Sequence, residues 1–360
     1  MLIDIATSSP PYKVPQEIAK KELKKRMGKS PAVSRMIDIA SRYSGINTRY
    51  VVVPDADPNI EAKFFPDSKN NMKPDTTQRM AEYEKWSKLL TSEAVSKILS
   101  KNNIKVPEIE RLITISCTGF FAPGLDYHLI KEFGIPLNVK RTNIGFMGCA
   151  ASLIGFNTVL EAMNSANSNA LNILMVSVEI CSLHLQTEPT RDNILANTVF
   201  ADGAAATLFS NSGKGKLKLI STDSVLFENS STAMGWRIGN FGFEMMLSSD
   251  LPKTIFDIAV PKLLEVIKSR DLSVEKIKYW ALHPGGRAIL DSLQQGLRLD
   301  EEKMHPSREV LKNYGNMSSA SILFVLKEII YNNKIRSNEY CCAIAFGPGL
   351  TMEVAILKGI

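Results

Sequence analysis

Residues 148–156 read Gly148-Cys-Ala-Ala-Ser-Leu-Ile-Gly-Phe156, a turn glycine followed by a run of small residues that opens a helix ending near Met163. A second stretch, Gly315-Asn-Met-Ser-Ser-Ala-Ser321, opens another small-residue helix that runs to about Tyr331. The surroundings repeat as well. An apolar strand, Leu112-Ile-Thr-Ile-Ser116, and a helix near Asp126–Phe133 precede the first stretch, and strands Leu171–Val178 and Ala204–Phe209 follow it. Strand Tyr279-Trp-Ala-Leu282 and helix Arg287–Leu297 precede the second, and strands Cys341–Phe346 and Thr351–Leu357 follow. Ile113 lies 36 residues before Cys149, and Ala281 lies 35 before Asn316. Short apolar strands alternating with helices mark an α/β architecture. The repeat predicts two copies of one α/β unit packed back to back, with Cys149 and Asn316 at equivalent positions.

The halves are expected at 1–225 and 226–360, joined through Lys214–Lys216 and Glu228–Asn240, which are rich in Gly, Ser, Asn and charge. Upstream, Asp75–Ser100 reads as a long amphipathic helix with Ala81, Trp86, Leu89, Leu90 and Ala94 near one face and Thr76 and Thr77 as caps. At 360 residues the chain exceeds the roughly 250–300 at which a single core stops growing. With 44% hydrophobic and 22% charged residues, disordered, collagen-like and coiled-coil classes are excluded.

Forty-three Lys and Arg against 37 Asp and Glu leave +6, which suits anionic small molecules and is too diffuse for nucleic acid. No apolar run approaches the ~18 residues of a membrane span. The start, MLIDIATSSPPYKVPQ, lacks a basic region and a long apolar one, so a cytoplasmic protein is expected. Five cysteines without a CxxC pair predict reduced thiols, one of them chemically active.

Cys149 follows a turn glycine at a helix start, where the helix dipole favours thiolate; a buried structural cysteine is the plainer reading. His283 ends a strand and precedes Pro284-Gly285-Gly286, the strand edge where α/β folds place catalytic groups. It also reads as a satisfied core histidine. Asn316 sits at a helix start, where Asn is a common cap. Together the three admit two chemistries: a cysteine hydrolase with His as base, or decarboxylative condensation with His and Asn holding an enolate. Spacing does not separate them.

Local motifs do. Gly145-Phe-Met-Gly-Cys-Ala-Ala151, Phe200-Ala-Asp-Gly-Ala-Ala-Ala206, His283-Pro-Gly-Gly-Arg-Ala-Ile-Leu-Asp291, Tyr314-Gly-Asn-Met-Ser-Ser-Ala320 and Phe346-Gly-Pro-Gly-Leu-Thr-Met-Glu353 resemble the type III polyketide synthases, the chalcone synthase-like branch of the thiolase superfamily. Met304-His-Pro-Ser-Arg-Glu-Val-Leu311 fits the family's spacing too.

The resemblance implies a homodimeric thiolase-like fold of two αβαβα halves, with Cys149 as nucleophile for an acyl-CoA starter. His283 would hold it as thiolate, and His283 with Asn316 would hold the enolate of malonyl-CoA, without metal or organic cofactor. Phe200 takes one gatekeeper position, although a core Phe is the plainer reading; the second falls on Met245, which is more adaptable than an aromatic. Ala122, in Thr118-Gly-Phe-Phe-Ala-Pro-Gly124, stands where plant members carry a larger Met that reaches the partner's cavity, and Ala345 replaces the first glycine of the loop that continues through Gly347, Pro348 and Gly349. Glu179-Ile-Cys-Ser-Leu-His184 and Met234-Gly-Trp236 resemble bacterial alkylpyrone and alkylresorcinol synthases.

In such an enzyme Cys117, Thr118 and Cys181 line the cavity and His184 sits near its wall without a catalytic role. Arg35, Arg42, Arg49 and Ala288 are the candidates for holding CoA. Departures at Met245 and Ala122 point to a fatty acyl starter and an alkylpyrone or alkylresorcinol product. Rival readings are a ketoacyl-carrier-protein synthase III and a non-catalytic acyl-binding partner subunit. His128 and His305 read as surface residues, and Cys341 and Cys342, adjacent on a strand, face opposite sides.

Overall fold

The computed structural model describes all residues except 57–59, 61–63, 66–72, 103, 167–169 and 213–214. Lys214, part of the expected connection, lies outside the described residues. The chain starts with β1 (Leu2–Ser8). The antiparallel pair β2 (Tyr12–Pro15) and β3 (Thr48–Val51) then brackets helices α1 (Gln16–Met27) and α2 (Pro31–Tyr43). There follow α3 (Thr76–Lys101), β4 (Ile109–Ser116), α4 (Leu125–Phe133), β5 (Lys140–Gly145), α5 (Ala151–Asn164), β6 (Asn172–Ile180), α6 (Arg191–Val199) and β7 (Asp202–Ser210).

The chain continues through β8 (Leu217–Leu226), which crosses the expected boundary at 225/226, the hairpin β9 (Met234–Gly239) and β10 (Gly242–Leu247), α7 (Leu251–Thr254), α8 (Val260–Ser269) and β11 (Ile277–Leu282). It closes with α9 (Arg287–Leu297), α10 (Glu301–Tyr314), α11 (Ser321–Tyr331), β12 (Tyr340–Gly347) and β13 (Thr351–Gly359).

Nine strands form one mixed sheet in the order β11-β12-β13-β8-β1-β7-β6-β4-β5. β4 runs parallel to β5 and β6, and β11 parallel to β12, as crossover helices require. The two sets of strands meet where Leu2 of β1 pairs with Leu217 of β8. Both small-residue helices share one core, in which Leu153, Phe156 and Val159 of α5 join Ile322, Leu323 and Leu326 of α11. Strands of both halves cover them, including Ile113 and Ile115 of β4 and Ala355 and Leu357 of β13. The close approach depends on size: a Cβ on Gly155 would stand 2.6 Å from Met175 Sδ and 2.9 Å from Ile115 Cδ1. Alternation along β12 splits the cysteine pair as expected, Cys341 facing this core and Cys342 the one built with Trp280 and Leu290.

Four details depart from the sequence reading. Asp75, rather than Thr76 or Thr77, caps α3: its carboxylate accepts from Gln78 N while Gln78 Oε1 accepts from Asp75 N, a reciprocal arrangement that satisfies two orphan donors. The buried face of α3 carries Tyr83, Leu90, Ala94, Val95 and Ile98, while Leu89 points to solvent. Glu228–Asn240 is no plain connection, because Met234–Gly239 within it pairs with β10.

The fourth concerns the repeat. One-turn 3-10 segments Gly148–Ala150 and Ser318–Ala320 lead into α5 and α11, so the helix starts align Cys149 with Ser319, and Gly148 (φ 62°) with Ser318 (φ 45°). Asn316 precedes that point. The near-equal spacing misled because the second unit has helix α10 where the first has strand β5, and a helix advances ~1.5 Å per residue against ~3.3 Å.

Candidate active site

After β5 the chain turns through Phe146 (φ 56°) and Gly148, and the latter is required twice over. Its backbone is left-handed, and a Cβ there would run into Pro348 Cδ of the β12–β13 loop. Gly148→Ala is therefore expected to cost about 1–3 kcal/mol in urea unfolding. It should also lower turnover, because the displaced turn carries Cys149; unchanged stability and turnover would contradict the close packing.

Cys149 is 7% exposed, with Sγ 3.6 Å from Ser318 Oγ and 4.0 Å from Asn316 Oδ1. Asn316 is not a simple helix cap. Its Oδ1 accepts from Ser318 N (2.8 Å), and its Nδ2 donates to Gly285 O (3.2 Å), leaving one amide hydrogen uncommitted in these bonds. Its backbone bridges to the strand end at Phe200: Asn316 N donates to Val199 O and Ala201 N to Asn316 O. His283 is reached through the same glycine, since a Cβ on Gly285 would stand 3.6 Å from His283 Nε2. His283 N donates to Ile344 O (2.8 Å), anchoring the end of β11. Cys149 and Asn316 thus meet at the turns that lead into α5 and α11, and His283, at the end of β11, adjoins Asn316 through Gly285.

The His283 ring is 3% exposed, and neither ring nitrogen meets a hydrogen-bond partner among the described residues. A buried polar ring left unpaired costs stability, and a catalytic role is one explanation for its retention. Burial pulls His283 down to about 3 and pushes the Cys149 thiol up to about 12. The helix start is expected to favour thiolate, and desolvation works against it. Desolvation thus works against the charged form of each group, and activating the sulfur calls for a proton acceptor within the site.

Sequence reasoning assigned no role to Glu179, Trp236 or Ser318. The Glu179 carboxylate is fully buried and accepts from Cys117 N (3.2 and 3.0 Å), Thr118 Oγ1 (2.8 Å) and Ser319 Oγ. Burial raises it to about 7. It ties the strand end carrying Cys117 and Thr118 to the turn that follows Asn316. A lone acidic residue continuing an apolar strand was the available signal. Trp236, on the hairpin taken for a connection, donates Nε1–H to Cys117 O (2.8 Å).

Cys149 opens onto a small cavity lined also by Cys117, Thr118, Cys181, Ser318 and Pro348. A second, larger cavity continues from it, and Cys181, Phe200, Trp236 and Met245 line both. Phe200 and Met245 therefore stand at a junction, and Phe200 is no plain core residue. His184 lines the larger cavity and is fully engaged: Nε2–H donates to Thr118 O (2.7 Å), Nδ1 accepts from Phe243 N (2.9 Å), and the ring stacks on Phe243 at 4.2 Å. Gly347 packs against Met147 O, and Gly349 has φ 106°, so the loop that presents Pro348 needs both glycines.

Other expected residues lie elsewhere. Ala122 is exposed and lines neither cavity. Arg35, Arg42 and Ala288 are exposed on α2 and α9, likewise away from both. Arg49 corrects the reading of a phosphate-binding arm. It is 7% exposed, donates to Asn197 O (2.7 Å) and Phe200 O (2.8 Å), and lines the larger cavity, because β3 carries it inward beneath α6. His128 bonds Ser92 and Glu132 on the helix surface, and His305 is exposed.

Comparison with known proteins agrees with this geometry. The family model of chalcone and stilbene synthases, C-terminal domain, matches residues 218–360, and that of FAE1/type III polyketide synthase-like proteins matches 60–222. The alpha-pyrone synthesis polyketide synthase-like Pks18 of Mycobacterium tuberculosis is 31% identical over 257 residues, covering 69% of this chain; the match spans 65% of that relative, just under two thirds. The 1,3,6,8-tetrahydroxynaphthalene synthase of Streptomyces peucetius is 28% identical over 75% of this chain and 72% of its own. The crystal structure of PKS-I from the brown alga Ectocarpus siliculosus superposes with a TM-score of 0.92 at 29% identity, over 100% of this chain and 98% of that one. With the two family models meeting end to end across residues 60–360, and this fold shared over the whole length, the chain belongs to the type III polyketide synthases.

Proposed function

We propose that this protein extends a medium- or long-chain fatty acyl-CoA with malonyl-CoA by iterative decarboxylative condensation and closes the product to an alkylpyrone or alkylresorcinol. The observation that carries the chemistry is the buried His283 ring, both nitrogens unpaired among the described residues, beside Gly285, whose carbonyl holds Asn316, which in turn meets Cys149. His283 takes the Cys149 proton as Sγ attacks the starter thioester; a C–S bond forms to Cys149, the bond to CoA breaks, and CoA leaves as its thiol with that proton. Malonyl-CoA then places its thioester oxygen toward His283 and the uncommitted Asn316 amide hydrogen. Its C–C bond to the carboxylate breaks, CO2 departs, and the electron pair remains as an enolate held by the two donors, each worth about 2.7–4 kcal/mol. The enolate carbon attacks the acyl carbon, a C–C bond forms, and the Cys149 C–S bond breaks to release the thiolate.

The starter assignment rests on the junction. Met245 and Phe200 separate a small cavity at the sulfur from a larger, mainly apolar one walled by Val14, Leu23, Val51, Val53, Phe65 and Leu185. An alkyl chain gains ~0.8 kcal/mol per buried CH2 in such a wall. Met245→Phe, which stiffens the passage, is expected to lower turnover of long starters about tenfold relative to short ones. The test is mass spectrometry of products from malonyl-CoA and acyl-CoA starters of graded length, without carrier protein. Alkylpyrone or alkylresorcinol masses support the reading; preference for acetyl or cinnamoyl-type starters overturns the alkyl assignment. Activity only with malonyl-carrier protein moves the protein to fatty-acid initiation. No turnover with either leaves an acyl-binding partner subunit.

The same reading includes a cytoplasmic homodimer. β5 is the last strand of the sheet, with one edge unpaired, and Phe120, Leu137 and Phe146 are exposed around it. Such an edge beside apolar side chains suits a second copy of this chain, and sedimentation equilibrium at twice the monomer mass is the expected result.

A further inference from the structure

The charge of this protein is concentrated in one place. Residues 16–44, which hold α1, α2 and their connection, contain eight Lys or Arg and three Asp or Glu, a balance of +5 out of the +6 of the whole chain. α2 is amphipathic in an unusual sense. Ile37 and Ser41 face inward, where Ile37 packs with Leu23 and Met27 of α1. On the opposite side Met36, Ile39 and Tyr43 are 37%, 53% and 58% exposed, spaced three and four apart and so aligned in one row. Arg35 and Arg42 border that row, and Lys21 and Lys29 are exposed nearby on α1 and the connection. Asp38, the acidic residue of α2, is neutralised by Lys24 at 2.6 Å.

From this we propose that the outer face of α1 and α2 docks the protein on an anionic lipid bilayer. An exposed apolar row bordered by Lys and Arg is the composition of a helix lying in a membrane interface, apolar side down and cations at the headgroups. Four to eight basic residues on such a helix attract anionic lipid through summed surface potential. A site for CoA phosphates alone would account for the cations and leave Met36, Ile39 and Tyr43 unexplained, whereas a bilayer accounts for both. The face is also placed for use. The inner side of α1 lines the larger cavity through Ala19, Glu22, Leu23 and Arg26, so the docked helix pair is the wall between the lipid surface and that cavity.

The test is flotation of the full chain with vesicles of phosphatidylglycerol and phosphatidylcholine in equal parts, compared with phosphatidylcholine alone. Preferential flotation with the anionic vesicles, weakening as salt rises, is expected. Lys21→Glu with Lys29→Glu should reduce it at least tenfold, and Met36→Gln, Ile39→Gln and Tyr43→Gln together should reduce it similarly. All five side chains are exposed, so the folded state is retained, and circular dichroism verifies it. Flotation that is absent, indifferent to lipid charge, or unmoved by both sets overturns the proposal. So does a raised KM for acyl-CoA in the apolar triple variant without vesicles, which would make the face a seat for CoA, or capture of an acidic acyl-carrier protein in place of vesicles. Vesicle binding is read without substrate, so its failure leaves the starter assignment standing.

Discussion

Cys149→Ala is expected to abolish product formation, by about 10⁴-fold or more, while leaving slow decarboxylation of malonyl-CoA measurable. The first effect follows from the removal of the thiol assigned to carry the starter covalently; loss of a nucleophile from a cooperating group costs on the order of 10⁴–10⁶ in rate. The second follows from the separation of roles. Enolate stabilisation falls to His283 and Asn316, and neither is positioned by the sulfur: Asn316 is held by Ser318 N, Gly285 O and the bridge to Phe200, and His283 by Ile344. Alanine is also tolerated sterically, since Ala150 and Ala151 already occupy the same turn. The checks are intact-protein mass after incubation with an acyl-CoA, where the wild type gains an acyl group and the variant does not, and acetyl-CoA release from malonyl-CoA. An acylated variant would place the nucleophile elsewhere, and Cys117 and Cys181 in the same cavity are the thiols to examine.

His283→Gln has the next largest effect, and it divides into two measurable parts. As a donor to the enolate, the histidine contributes about 10²–10³ in the decarboxylation rate. As proton acceptor for Cys149, it controls the pH at which the sulfur reacts. Burial holds the thiol up at about 12, so without an acceptor the thiolate appears only as pH climbs toward that value. Iodoacetamide should therefore alkylate Cys149 in the wild type near neutral pH and in the variant only under alkaline conditions. Equal alkylation rates at pH 7 would mean that another group activates the sulfur. Glu179, held at about 7 by burial, is bound to Cys117 N, Thr118 and Ser319 and offers no oxygen to Cys149, which is why His283 carries this role in our reading.

Much of this arrangement was readable along the chain. Apolar strands, the glycines between them, and the start of α9 at Arg287 fell where local pattern placed them, while the cap of α3 did not. Cys149, His283 and Asn316 stood out for the same reason: each sits at an element end beside small or turn residues. The misreadings share one cause. Arg49 reads as a cation free to hold CoA, and only the packing of β3 under α6 sends it inward. Glu228–Asn240 reads as a connection because Gly, Ser and Asn are turn residues, yet the hairpin it belongs to is held by pairing with β10 and by Trp236 on Cys117. Asn316 was matched with Cys149 by counting residues, although distance along a helix and along a strand are not the same length.

The sequence by itself determined the α/β class, the order of elements, the family, and the residue types available for chemistry. These depend on periodicity, turn stereochemistry and short motifs, all of which are complete within a window of ten or twenty residues. The tertiary structure alone decided that Phe200 and Met245 stand between two cavities, that Glu179 ties two halves of the site together, and that α2 turns an apolar row outward. Those facts depend on contacts of a few ångströms between segments a hundred residues apart, where a single side chain's volume opens or closes a space, and no local pattern carries that information.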